Sequence, residues 1–315
     1  MIKRRSLWVL LAVVLATAGV STRFAHGREA DVPVIAARHL FDIEADFLHP
    51  SDVAVGPGGH IYVLDGVNNR VMVFDAAGAY VSRFGSKGSG KGGFSSPLGI
   101  AIDARGDVYV ADSGNSRIQV FDSGGRFRFE FAVEHYQSRS KSDPVDVVVD
   151  DERQVCYVVD NENHQVLVYT KDGSRLLDGW GRRGEKPGEF QFPFLAAMDS
   201  QSTLYVVDVL NTRVQAINSE GRTMAVVGKW GVDRGQFYRP KGVAIDGRDR
   251  IYVSDGYLGV VQVFKRYRTF LGVLGNEKKE FLRFKAPTGM FVDDQLRIYV
   301  VEMRWNRVRV YQILE

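Results

Sequence analysis

Two carboxylates, Asp52 and Asp146, have the residue type and spacing that could do chemistry. Each lies two residues after a proline, at the beginning of a short apolar run, and His49 lies three residues before Asp52. Three equivalent runs carry glycine at the same position: Gly99, Gly242 and Gly289. Carboxylate oxygens and imidazole nitrogens bind divalent cations, which can polarise a substrate. Asp52, Asp146 and His49 are therefore candidate ligands of a calcium or zinc ion.

These apolar runs belong to a unit that the chain repeats six times. The second run of each unit has the pattern Tyr-Val-x-acidic, and the acidic residue recurs every 47 or 48 positions. The six acidic residues, which number the repeats one to six below, are Asp65, Asp112, Asp160, Asp208, Asp255 and Glu302. A period of this length with about four short strands per unit indicates a β-propeller. The sequence thus predicts an all-β, six-bladed β-propeller of four-stranded antiparallel blades.

Further residues recur at fixed offsets within each unit. A proline precedes the first strand, and an asparagine and an arginine follow the acidic residue, as Asn115 and Arg117 do in repeat two. With the run Gln-Val-Phe that follows, this pattern resembles the NHL-repeat family over roughly residues 40 to 315. Gln165 and Val260 replace the arginine in repeats three and five. The resemblance implies a six-bladed propeller of the kind that serves as a binding platform, although related six-bladed propellers are enzymes.

The N-terminal residues 1–27 have the composition of an export signal. A basic start is followed by an apolar run at residues 7–20 and then by small residues, which is the layout of a secretory signal peptide. The alternative is an uncleaved anchor in the inner membrane. We therefore expect residues 28–315 to form one propeller domain in an exported protein, periplasmic or extracellular, that contacts membrane only through an uncleaved N-terminal segment.

The strand that closes the ring is predicted from what repeat six lacks. The chain ends at Glu315 after the third strand of that repeat, whereas Arg38–Glu44 alternates apolar and polar residues before repeat one begins. We expect this N-terminal strand to complete the last blade, because closure removes the unpaired edges of the sheet.

The loops between consecutive blades carry the candidate binding residues. We call the face that these loops share with the turns between the second and third strands the loop face. Its candidates combine basic and aromatic side chains: Arg182, Arg183, Lys229, Trp230, Arg239, Tyr257 and Trp305. Such a mildly cationic face attracts an anionic polymer or an acidic protein, although a solvated basic surface remains the alternative. Export argues against nucleic acid as the partner.

Two functions follow from these residues. The first is a non-catalytic, monomeric binding or scaffold protein that recognises a protein or an anionic polymer through the loop face and needs no cofactor. The second is a metal-dependent enzyme with its site at the mouth of the central channel. Such an enzyme would be lactonase-like, or similar to the peptide-amidating lyases, which the chain resembles around Phe47 to Phe74.

Overall fold

The computed structural model describes residues 32–134 and 140–314, and the predicted export segment, residues 1–27, lies outside this part of the chain. Regular structure in the described residues is almost entirely β-strand, with short 3-10 helices at Ser113–Asn115, Arg266–Arg268 and Met303–Trp305. The prediction of an all-β chain is confirmed. Among the same residues, no helix is long and apolar enough to cross a membrane.

Repeats one to four each form a separate four-stranded antiparallel sheet, and strands are numbered here along the chain after an N-terminal strand, β1 (Val34–Glu44). Repeat one contains β2 (Asp52–Val55), β3 (Ile61–Asp65), β4 (Arg70–Phe74) and β5 (Tyr80–Phe84). After a short parallel pair, β6 (Ser86–Lys87) and β7 (Gly93–Phe94), repeat two contains β8 (Ile100–Ile102), β9 (Val108–Asp112), β10 (Arg117–Phe121) and β11 (Phe127–Ala132). Repeat three contains β12 (Pro144–Asp150), β13 (Val155–Asp160), β14 (Gln165–Thr170) and β15 (Leu176–Trp180). Repeat four contains β16 (Pro193–Met198), β17 (Leu204–Asp208), β18 (Arg213–Ile217) and β19 (Thr223–Val227).

Repeats five and six share one eight-stranded sheet. Its strands are β20 (Pro240–Ile245), β21 (Ile251–Asp255), β22 (Val260–Lys265), β23 (Thr269–Gly275), β24 (Pro287–Val292), β25 (Arg297–Glu302), β26 (Arg307–Ile313) and β1. β1 lies between the two halves. Residues 34–36 pair in parallel with β23, and residues 37–44 pair antiparallel with β26.

The position of β1 explains a difference from the predicted architecture. The strand lies beside β26, where the sequence predicts it, but it begins at Val34 and is long enough to bond to β23 as well. The structure therefore shows a propeller-like arrangement of four separate sheets and one eight-stranded sheet, rather than six separate sheets.

The first strand of each repeat lines a common cavity. β2, β8, β12, β16, β20 and β24 contact one another in a closed ring and enclose a volume of about 220 Å³. These strands are short apolar runs such as Val147–Val149, which suit positions that are buried on both faces. In the outer strands, exposed and less exposed side chains alternate instead. In β11, for example, Arg128, Glu130 and Ala132 are exposed, whereas Phe131 is buried. Most of the side chains that line the interior of the ring are therefore apolar.

The hydrophobic core lies between neighbouring sheets. Each sheet buries a recurring tyrosine of its second strand, and in one such layer Tyr62 of repeat one packs with Phe121 of repeat two. Cys156 is a buried member of another layer, and burial raises the pKa of its thiol to about 12. Because each sheet buries its faces against its neighbours, the stability of one repeat depends on the next.

Removal of β1 should open the ring. We expect a chain that begins at Ala45 to lose about 5 kcal/mol or more of unfolding free energy relative to one that begins at Val32, which is comparable with the total stability of many domains. The loss follows because Ala37 and Ile43 leave the core and the edges of β23 and β26 lose their partners. Urea unfolding measures the difference, and equal midpoints for the two chains would refute the closing role of β1.

Candidate binding site on the loop face

The acidic residue at the end of the second strand organises the loop face in each repeat. In repeat two, Asp112 Oδ1 accepts a hydrogen bond from the Ser95 N–H at 2.7 Å. Its Oδ2 accepts bonds from Asn115 Nδ2 and Arg117 Nε, both at 2.8 Å. A buried carboxylate is costly unless it is hydrogen-bonded, so these contacts hold the incoming loop and the following turn in place. The arginine pairs equivalently with the acidic residue in repeats one, four and six.

Repeat five satisfies its carboxylate in another way. Val260 stands where arginine would be, and Asp255 accepts four backbone N–H groups instead. One oxygen accepts from Tyr238 at 2.6 Å and Arg239 at 3.1 Å. The other accepts from Tyr257 at 3.0 Å and Leu258 at 2.9 Å. Asp255 thereby draws together the loop before β20 and the turn after β21.

An aromatic stack results from this arrangement. The rings of Tyr238 and Tyr257 are stacked, with centroids 4.1 Å apart and an interplanar angle of 25°. The Trp230 ring lies 6.4 Å from Tyr238 and is 71% exposed. Trp230 also borders an open cleft of about 730 Å³ that Leu210 and Lys229 help to line. Apolar rings this exposed are typical of a surface that contacts another molecule.

Two cations lie beside the stack at the rim of the channel. Lys241 Nζ is 4.9 Å from the centroid of the Phe194 ring, and a methyl group on Gly256 would lie 3.4 Å from Lys241 Cγ. The Lys241 side chain keeps some solvent contact, but burial of the ammonium and the Arg239 charge lower its pKa to about 8. Within residues 32–134 and 140–314, neither Lys241 nor Arg239 forms an ion pair. We call Phe194, Trp230, Tyr238, Arg239, Lys241 and Tyr257 the aromatic–cationic patch.

The structure brings together only some of the candidates predicted on this face. Trp230, Arg239 and Tyr257 belong to the aromatic–cationic patch, and Lys229 borders the adjoining cleft. Arg182 donates two hydrogen bonds to Glu189 Oε1, at 3.0 and 2.9 Å, so its charge is largely compensated.

Arg183 and Trp305, the two remaining candidates, lie outside the aromatic–cationic patch. The charge of Arg183, together with burial as the larger cause, lowers the pKa of His164. Trp305 is half-exposed in repeat six, with the Arg307 guanidinium 4.6 Å and Lys285 Nζ 5.8 Å from its ring centroid. Trp305 therefore has its cationic contacts within its own repeat.

Four members of the site were not among the predicted binding residues. Asp255 follows the repeat pattern, whereas Tyr238, Phe194 and Lys241 stand at positions where the residue type varies from repeat to repeat, so no pattern singles them out. The signal available in the sequence was Val260, which stands where most repeats carry arginine. Without that arginine, the Asp255 carboxylate accepts hydrogen bonds from the backbone of two loops.

The carboxylates Asp52 and Asp146 lie at one end of the channel cavity. Asp52 Oδ2 accepts the Ile100 N–H at 3.1 Å, and Asp146 Oδ2 accepts the Ala196 N–H at 2.7 Å. A Cβ atom on Gly289 would lie 2.0 Å from Asp52 Oδ1, and one on Gly99 would lie 2.3 Å from Asp146 Oδ1. Each aspartate therefore needs a glycine at the equivalent position of the preceding repeat, which explains Gly289 and Gly99.

Burial governs the protonation of this pair. It raises the pKa of Asp52 to about 7, and burial and then the Asp52 charge raise the pKa of Asp146 well above its usual range. His49 is exposed and adopts a left-handed backbone with φ of 50°. No three His, Cys, Asp or Glu side chains in the described part of the chain form a group that could hold a metal ion, so His49 does not complete a three-ligand site. The calcium or zinc ion remains a prediction that rests on the two carboxylates.

The raised pKa of Asp52 predicts a pH-dependent effect of Asp52→Asn. Between about pH 4 and pH 7 the unfolded chain releases the Asp52 proton while the folded chain retains it, so wild-type stability falls relative to the variant as pH rises. The limiting slope for one proton is about 1.4 kcal/mol per pH unit. Urea unfolding at several pH values measures this slope, with Glu220→Gln on the surface as the control. A constant difference between wild type and Asp52→Asn would contradict the assignment.

The fold and the patch together show the class of this protein: it is a β-propeller with an exposed aromatic and cationic surface on its loop face. The NHL-repeat family model matches residues 47–74 and 94–121, in repeats one and two. With the propeller-like fold, these matches confirm the predicted resemblance to the NHL-repeat β-propeller family. No curated protein matches the sequence significantly.

Solved structures with the same fold have diverse functions. A gluconolactonase from Xanthomonas campestris is 17% identical with a TM-score of 0.67, over 90% of this chain and 95% of its own. A streptogramin B lyase is 10% identical with a TM-score of 0.64, over 88% and 98%. A hydrazine synthase structure from Kuenenia stuttgartiensis is 11% identical with a TM-score of 0.60, over 85% and 96%. At such identities the similarity shows the fold alone.

Proposed function

We propose that this protein is a non-catalytic binding or scaffold protein that recognises a protein or an anionic polymer through its loop face. The observation that supports this most strongly is the stacked pair Tyr238 and Tyr257 with the exposed Trp230 ring near it, beside Arg239 and Lys241. Tryptophan, tyrosine and arginine are the residue types that contribute most binding energy at protein interfaces. The patch presents them together on one surface.

The propeller supplies a rigid base for this surface. We propose that the eight-stranded sheet consists of two blades joined by β1, which makes the ring six-bladed. The closed circuit of six first strands and the core layers between neighbouring sheets support this interpretation. A ring closed in this way holds the loops in fixed positions, so that little ordering entropy is lost when a partner binds.

The proposed cellular location rests on the sequence of residues 1–27. We propose that residues 1–27 export the protein, cleaved or retained as an anchor, and that the propeller acts as a monomer in the periplasm or outside the cell. Its partner would then be an envelope or extracellular molecule rather than nucleic acid.

Truncation of the exposed rings should abolish partner capture. We expect Trp230→Ala with Tyr257→Ala to reduce capture from an extract of the source cell envelope at least tenfold, because a central aromatic residue contributes about 2 kcal/mol or more to an interface. Met224→Ala is the matched control, since Met224 is 53% exposed on the outer strand β19. Quantitative mass spectrometry of the captured proteins and polymers gives the ratio. Equal capture by the double variant and by wild type, at equal melting temperatures, would contradict the proposal.

The metal-dependent enzyme remains a second candidate because Asp52 and Asp146 place two carboxylates at one end of an apolar channel. If a divalent cation binds between them, calcium or zinc should raise the melting temperature of wild type at neutral pH. Asp52→Asn with Asp146→Asn should remove this shift. Equal shifts for the two proteins, or none for either, would contradict a cation at this position.

A further inference from the structure

We infer that Lys241 and Arg239 form an anchor for the carboxylate of an acidic peptide segment at the rim of the channel. This inference rests on the proposed binding function and specifies which chemical group the aromatic–cationic patch recognises. The anchor consists of the Lys241 ammonium over the Phe194 ring and the Arg239 side chain two residues earlier, and Arg239 directly follows Tyr238 of the aromatic stack.

Lys241 lacks the partner that its position demands. A cation removed from water is costly unless it is paired or hydrogen-bonded. The elements against Lys241 are β16 through Phe194, the turn at Gly256, and its own strand β20 with the preceding loop, and the charge that acts on it from them is that of Arg239. Contact with an aromatic face offsets about 0.5–2 kcal/mol of that cost, whereas a carboxylate would compensate both cations.

Other basic residues of the loop face are paired within the chain, whereas this pair is not. Arg182 is paired with Glu189, and Arg213 and Arg307 are paired with the acidic residues of their own repeats. Arg239 donates its backbone N–H to Asp255, but its guanidinium forms no ion pair in the described residues. The charges of Arg239 and Lys241 therefore remain free for an external anion.

The aromatic side chains indicate the kind of molecule that carries the anion. Tyr238 and Tyr257 stack on each other, so one face of each ring is occupied. A sugar ring stacks on an open aromatic face, whereas peptide groups and aliphatic side chains contact edges and hydroxyls as well. The open cleft beside Trp230 can continue the contact along an extended chain. These features favour an acidic peptide over an acidic polysaccharide.

Calorimetric titration tests the anchor directly. The probe is N-acetylated hexaglutamate amide at pH 8.5, with measurements in two buffers of different ionisation enthalpy. With its pKa lowered to about 8, Lys241 is largely neutral at this pH, and a bound carboxylate stabilises the protonated form. We expect binding by wild type with net uptake of a fraction of a proton per peptide.

Variants separate the anchor from the rest of the surface. Lys241→Met should abolish proton uptake and weaken binding at least tenfold, and Lys241→Arg should bind without uptake. Lys265→Met, a change of an exposed lysine at the end of β22 that lines neither the patch nor the cleft, should retain both binding and uptake.

Four results would overturn the anchor: no binding of hexaglutamate by wild type, equal binding of hexaglutamine, undiminished uptake in Lys241→Met, or tighter binding of an oligogalacturonate. If Trp230→Ala weakens hexaglutamate binding while Lys241→Met does not, the binding surface stands and the anchor is wrong. If Lys241→Met weakens it while capture from the envelope extract is insensitive to Trp230→Ala and Tyr257→Ala, the anchor stands and the proposed function is wrong.

Discussion

A fully buried carboxylate at the end of the second strand is the interaction on which the loop face depends. The charge cannot remain in the protein interior without hydrogen bonds, so each repeat must bring donors to it. In most repeats the donors are one backbone N–H of the incoming loop and the side chains that follow, as for Asp112. Every repeat must supply hydrogen-bond donors to this carboxylate, and the groups that supply them determine the path of the loops.

Repeat five shows how one substitution changes a surface. Because Val260 offers no guanidinium, the Asp255 carboxylate takes two N–H groups from each of two loops. This arrangement holds Tyr238 against Tyr257 and places Arg239 next to Lys241. A departure from the repeat pattern that removes a structural ion pair thus produces the part of the loop face best suited to bind a partner.

The sequence predicts most of the fold because the fold is periodic. Six copies of Tyr-Val-x-acidic fix the strands, the repeat length and the position of β1 beside β26. The eight-stranded sheet was not predicted, because the pairing of Val34–Ala36 with β23 depends on where the start of β1 lies in space.

The candidate site was predicted in part. Trp230, Arg239 and Tyr257 stand out by residue type, whereas burial and the Arg239 charge lower the pKa of Lys241, and its contact with Phe194 comes from another repeat. The pair of Asp52 and Asp146 was recognised, but its dependence on Gly289 and Gly99 is steric and requires coordinates. His49 was grouped with these carboxylates on sequence proximity alone, and in the structure it is exposed.

The most direct test of the account compares the same substitution in two repeats. Asp255→Asn replaces one acceptor oxygen with an NH₂ group, which cannot accept the N–H groups of one loop, and Asp112→Asn makes the identical change in repeat two. Binding of hexaglutamate, measured by titration calorimetry on both variants, should be lost in Asp255→Asn and retained in Asp112→Asn, with both proteins folded. Wild-type affinity in Asp255→Asn, or an equal loss in the two variants, would contradict the claim that the Asp255 carboxylate builds the binding surface.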